Sequence, residues 1–198
     1  GITLQTPSAG SVNTDQLAST AVTTAKIAST AVTPAKMDLS QDYTFTGKVS
    51  GQNYPAFFAH ASSNTNISDG VVTTIIFGTE VYDTDSAYDN SNGRFTVPSG
   101  KAGKYFLYSG VQLQGSNDNI FLDGQIQLFK NGSSAHTSRM MPLGDGLIYT
   151  LQVNFAIDLV ATDYIEIKAY QDTNGGNGAY NGHASQYKSY FGAYRIGD

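Results

Sequence analysis

The sequence predicts an all-β antiparallel sandwich behind an extended N-terminal stalk of short repeats. Three observations carry this. Every second residue of 147–159 is apolar with mostly polar residues between, aromatic and turn-forming residues are plentiful in the rest, and a ten-residue phrase recurs three times near the start. Tyr (13), Phe (10) and Gly (21) are plentiful while charged residues are only 14%, a balance suited to short strands and tight turns rather than long helices.

The repeats come first. Val12–Thr20, Val22–Thr30 and Val32–Asp38 each offer two bulky apolar residues five apart: Val12/Leu17, Val22/Ile27 and Val32/Met37. Ten residues match neither the seven- nor the eleven-residue period of a regular coiled coil. A helix confined to one unit falls short of the roughly 12–15 residues a lone helix needs in water. Such a phrase orders by stacking on copies of itself, so the six apolar residues are expected at a subunit interface. The stalk and its collar occupy residues 1–53, and the head spans 54–198.

In the head, Leu147, Tyr149, Leu151, Val153, Phe155, Ile157 and Leu159 hold a two-residue period that excludes a helix. Tyr105/Leu107/Val111/Leu113, Ile120/Leu122/Ile126/Leu128 and Ile165/Ile167/Ala169 repeat the pattern. Lys130-Asn131-Gly132 ends one of them in a hairpin-type turn. A sandwich buries one face of each sheet and leaves the other to water or a neighbour. Phe106, Tyr108, Tyr164, Tyr170, Tyr190 and Tyr194 lie on that second face, and are read as a subunit contact against the plainer alternative of packing beneath loops.

Several classes are excluded. A net charge of -5 with no Lys/Arg cluster argues against nucleic acid or an anionic membrane surface. No apolar run approaches the 18 residues of a membrane-spanning helix, and no signal-peptide pattern occurs. Without cysteine there are no disulfides and no thiolate chemistry. The chain opens on Gly1 rather than Met, as a processed or excerpted chain does, leaving room for an anchoring segment upstream.

Enzymatic motifs are absent: there is no Gly-Lys-Ser/Thr phosphate loop and no Gly-x-Ser-x-Gly elbow. Asp123 with Asp145 and Asp163 with Glu166 are acid pairs without diagnostic spacing. His60, His136 and His183 show no ligand spacing. Asp83-Thr84-Asp85 with Asp89 invites comparison with a calcium loop, but the sixth position from Asp83 is Tyr88 and the twelfth is Arg94. The expectation is therefore no catalysis, no cofactor and no metal, the alternatives being a looser calcium site at these Asp residues and a metal on a threefold axis, which needs only one His per chain.

A series of short motifs in order gives the head a likeness. Pro55-Ala56-Phe57-Phe58-Ala59 comes first, then Tyr88-Asp89 with Gly93-Arg94-Phe95-Thr96-Val97-Pro98. Gly103-Lys104-Tyr105-Phe106-Leu107-Tyr108, Lys130-Asn131-Gly132 and Ser189-Tyr190-Phe191-Gly192-Ala193-Tyr194 follow. Together they resemble the complement C1q globular domain and its tumour-necrosis-factor relatives. The resemblance implies an antiparallel jelly roll assembled as a homotrimer. One departure is Ala161-Thr162-Asp163-Tyr164, where that family has Gly-Asp.

The decads resemble the repeats of bacteriophage tail fibres. The two likenesses together imply the distal, receptor-binding part of a phage fibre, located on the virion exterior. Its partners would be other copies of the chain, other virion proteins on the N-terminal side, and a host cell-surface glycan or protein. The alternatives are a capsid decoration or head-fibre protein, and a secreted C1q-like carbohydrate-binding module.

If the chain enters at one end of a jelly roll, alternating strand directions put the loops 172–187, 142–145 and 114–119 at the other. The first is rich in Tyr, Asn, Ser and Gly, the composition of adaptable recognition loops. The expected contact residues are Asn174, Asn177, Tyr180, Asn181, His183, Gln186 and Tyr187, with Asn117, Asp118 and Asp145 from the neighbouring loops.

Overall fold

The computed structural model describes residues 55–115, 121–142 and 146–197, with isolated positions between 22 and 42. Packing divides the chain into two compact units, Gly1–Ser50 and Gly51–Asp198. In the first, Val22, Ile27 and Val32 are exposed among the described positions, whereas Val12 and Leu17 lie outside them. Met37 is half-buried. Immediately before it the Lys36 N–H donates to the Thr33 carbonyl at 2.8 Å.

The second unit is all-β. Its strands among the described residues are β1 (Ala56–His60), β2 (Thr65–Ile67), β3 (Thr73–Thr74), β4 (Thr79–Asp83), β5 (Tyr88–Asp89) and β6 (Arg94–Thr96). After these come β7 (Gly103–Gln114), β8 (Phe121–Lys130), β9 (Ser133–Met140), β10 (Ile148–Leu159), β11 (Tyr164–Thr173), β12 (Gly178–Tyr180) and β13 (Tyr190–Gly197). One sheet runs β2-β12-β7-β13-β1-β4, with β10 on β7. The other runs β5-β6-β11-β8-β9, with β3 on β11. Every pairing is antiparallel.

The alternating segment is β10, paired with β7 over its whole length from Ile148↔Gln114 to Leu159↔Gly103. Its odd-numbered apolar residues face the interior, with Leu151, Val153 and Leu159 buried and Tyr149, Phe155 and Ile157 packed against the core. Phe57 lies among Tyr88, Phe95 and Phe191, its ring centroid 4.6, 5.0 and 4.9 Å from theirs. Edge and stacked contacts of this kind add to the area buried.

At Asn131-Gly132 both residues have positive φ, +51° and +79°, giving the β8–β9 hairpin a turn whose twist suits its strands. Asn131 Nδ2, Lys130 Nζ and the Val160 N–H all donate to Asp163, at 2.7, 2.8 and 2.9 Å. That carboxylate ties the hairpin to the β10–β11 turn. In the same turn Thr162 sits at φ +75°, a conformation unfavourable for a β-branched residue. Thr162→Gly is therefore expected to stabilise the head by about 1 kcal/mol. The expected shift in thermal midpoint is about +2–4 °C, and an unchanged or lower midpoint in a thermal melt would refute it.

Strand direction places the loops. Pro55, Gly103, Lys130 and Gly197 sit at one end, linked by the Arg195 N–H to the Pro55 carbonyl and by the β7–β13 register. His60 and Tyr190, Gln114 and Ile148, and Phe121 and Thr173 mark the opposite end. The expected distal loop 172–187 emerges there. The strand ends flanking the other two expected loops reach the same end.

Candidate subunit interface and distal surface

The outward face of the seven-stranded sheet follows from period two. Strands β1, β7 and β13 turn Phe57, Ala59, Tyr105, Leu107, Phe191 and Ala193 inward, so Phe58, Phe106, Tyr108, Tyr190 and Tyr194 face out. Tyr82 joins them from β4, opposite Phe58. Tyr187 adds its ring from the distal loop, 5.3 Å from that of Phe58 and 4.7 Å from that of His60. Tyr108 lies at the centre, its ring 6.2–6.5 Å from those of Phe58, Phe106, Tyr190 and Tyr194.

This layer is only half covered by its own chain: Tyr82, Tyr194 and Tyr187 are 46%, 45% and 43% exposed. Burial lifts the Tyr108 hydroxyl above the usual phenol range, helped by the neighbouring Tyr82 hydroxyl. Gly110 and Gly192 make room, since a Cβ at either would run into the ring of Tyr190 or Tyr108. Beside the rings β10 is polar, and Gln152 Nε2 donates to the Tyr190 hydroxyl at 3.2 Å. The sequence singled out Phe106, Tyr108, Tyr190 and Tyr194 but missed Phe58 and Tyr82. Phe58 is signalled by its place one residue after the buried Phe57; Tyr82 sits on a short strand with no clear period.

Tyr164 and Tyr170 do not belong to this face, and their expected role beside the other rings is corrected. Both lie on β11 in the six-stranded sheet, across the sandwich. Tyr164 is covered by the Arg94 guanidinium, 3.8 Å from its centroid, and Arg94 also pairs with Glu166 at 3.1 Å. Lys168 sits over Phe129 and pairs with Glu166. Arg139 pairs with Asp123 at 2.9 Å. That face is a network of ion pairs, suited to solvent.

Among the expected distal residues, Asn174, Asn177, Gln186 and Tyr187 are exposed and His183 is half-buried. Tyr180 and Asn181 are corrected: at 3% and 2% exposure they serve the structure rather than a partner. The Tyr180 hydroxyl meets the backbone of Ile76, and Asn181 Nδ2 donates to Gln112 Oε1 at 3.0 Å. Asn117, Asp118 and Asp145 lie outside the described residues. Gly182 is forced, because a Cβ there would overlap the Ser63 backbone.

The acidic positions are occupied by local bonds. Asp83 accepts from the backbone N–H groups of Asp85 and Tyr88, while Asp89 accepts from Ser91 and Asn92. Those bonds hold the exposed Asp89 carboxyl below the usual carboxylate range. Among the described residues no three His, Asp or Glu side chains converge. His136 stacks on Phe155 and His183 Nδ1 accepts from the Ser185 N–H. Asp163 and Glu166 each have cationic partners of their own, and no open acid pair results.

No protein-family model and no curated protein matches the chain. Solved structures do match in fold. The globular domain of zebrafish complement 1qA protein aligns with TM-score 0.52 at 12% identity, covering 72% of this chain and 97% of that one. A crystal structure of murine APRIL aligns with TM-score 0.53 at 14% identity, covering 73% and 100%. The head is thus all-β with a C1q/TNF-like jelly-roll architecture.

Proposed function

We propose that three copies of this jelly roll close on the aromatic face of the seven-stranded sheet to form the receptor-binding head of a phage tail fibre. On this reading the protein is a virion component on the particle exterior. It is non-enzymatic, needs no cofactor, and attaches the particle to a host cell-surface glycan or protein. The carrying observation is the half-covered layer of seven rings, Phe58, Tyr82, Phe106, Tyr108, Tyr187, Tyr190 and Tyr194, six from one sheet and Tyr187 from the distal loop of a single chain. An apolar layer of that kind marks a protein contact, and a closed cyclic trimer uses the same patch on every copy.

The decads support the fibre assignment, because Val22, Ile27 and Val32 stand exposed on one chain and gain cover from identical neighbours. On this reading the receptor is met by the head's loops at the end opposite Pro55. Soluble full chain added in excess is expected to block adsorption of particles carrying it. Undiminished adsorption, or labelled density on the capsid shell rather than the tail, would replace this reading with a decoration protein.

A further inference from the structure

At the distal end, β2, β12 and β7 lie side by side with Asn66, Ala179 and Gln114 in one register row. The inward neighbours on β12 are Gly178 and Tyr180, both buried, so the three side chains of the row share the outer face, four residues further along β7 than the Gly110–Tyr190 pair at the distal edge of the aromatic layer. Ala179 is short and leaves a trough between the two carboxamides, whose strands are about 9.5 Å apart, twice the strand spacing. The trough belongs to an open concavity of about 260 Å³ that Asn64 and Asn177 also line.

The chemistry of the lining is narrow. Asn64 Oδ1 accepts from the Gly182 N–H and Asn177 Oδ1 from the Asp69 N–H, each at 3.1 Å. These bonds fix the two carboxamides in place, with the NH₂ groups free to donate and each oxygen keeping a second lone pair. Asn66 and Gln114 have no side-chain partner among the described residues and present whole carboxamides, each a donor beside an acceptor. Gly178 anchors the floor, because a Cβ there would overlap both the buried Gln171 amide and the Gln114 carbonyl.

We infer that this trough is a binding subsite for one ring of a neutral saccharide. Adjacent hydroxyl groups each donate and accept, and a carboxamide matches such a pair with one donor and one acceptor. A sugar ring held by hydrogen bonds of about 2.8 Å on either side fits between the two carboxamides. Neither Lys nor Arg lines the concavity, so nothing there compensates a carboxylate, sulfate or phosphate. It also lacks the apolar pocket that a peptide side chain needs as an anchor. The size suits a single ring better than a drug-sized ligand, whose pockets begin at about 300 Å³.

The inference rests on the attachment reading and names the receptor class for it. The test uses full-length protein on a printed array of neutral and acidic oligosaccharides. Three variants are compared: Ala179→Trp, which fills the trough, and Asn66→Ala and Gln114→Ala, which remove its walls. Binding to neutral glycans is expected, weakened at least tenfold in each variant with native mass and melting unchanged. Binding confined to acidic glycans, absence of binding, or equal binding by Ala179→Trp overturns the inference.

Adsorption to host cells separates the two levels. Wild-type and Ala179→Trp protein competing equally with particles defeats the saccharide site while keeping attachment. Wild-type protein that fails to compete defeats attachment, and the array alone then decides the site. Competition by a host surface peptide rather than by sugar also overturns it.

Discussion

Tyr82→Glu combined with Tyr194→Glu is expected to convert the assembly into single chains. The two rings are 46% and 45% exposed on an isolated chain, so neither change opens the core and the head still folds. In a trimer closed on this face, by contrast, the substitutions bury six carboxylates around one axis. Each lost aromatic anchor weakens such a contact by about 2 kcal/mol. Like charges brought together without partners add a repulsion that no rearrangement within the face relieves. The native mass should fall from about 63 kDa to the 21.1 kDa of one chain, with the far-ultraviolet circular dichroism of the strands retained. A variant that keeps its full mass would remove the aromatic face from the assembly.

Asp163→Ala should destabilise the head by about 3 kcal/mol, because it leaves Lys130, Asn131 and the Val160 N–H without their common acceptor. For a domain of this size the thermal midpoint should drop by about 6–12 °C. The same carboxylate gives an acid dependence. Burial alone would raise its pKa, but the bonds from Lys130, Asn131 and Val160 outweigh burial and hold it below the usual carboxylate range. A depressed folded value means that its contribution is complete above about pH 4 and is lost as pH falls through the lower folded value. Unfolding measured between pH 7 and pH 2 should therefore show an acid-side loss in the wild type that is reduced in Asp163→Ala. Superimposable pH profiles would contradict the proposed clasp.

Period two made the long strands legible. The alternation of Leu151, Val153, Phe155 and Ile157 leads directly to β10, and Asn131-Gly132 to the β8–β9 turn. Strand β9 (Ser133–Met140) was not legible. It is a polar edge strand held by its ladder to β8, with no apolar face to give it a period. Alternation also tells which face of a strand a residue occupies but not which sheet the strand joins. That is why Tyr164 and Tyr170 were grouped with rings that lie across the sandwich.

The distal loop shows a second limit. Its composition reads as surface, yet Tyr180 and Asn181 fold inward, because the hydroxyl reaches Ile76 and the amide reaches Gln112. Such bonds offset part of the penalty for burying polar groups, although Asn181 Oδ1 has no partner among the described residues, and nothing in local composition announces them. The carboxamide row was hidden for a related reason: Asn66, Ala179 and Gln114 are far apart in sequence and meet only through the pairing of β2, β12 and β7.

Multi-angle light scattering on the purified full-length chain tests the shared aromatic face most directly. Closure by three copies predicts about 63 kDa, three times 21.1 kDa. A folded species of about 21 kDa would contradict it, leaving the rings of Tyr82, Tyr187 and Tyr194 facing water.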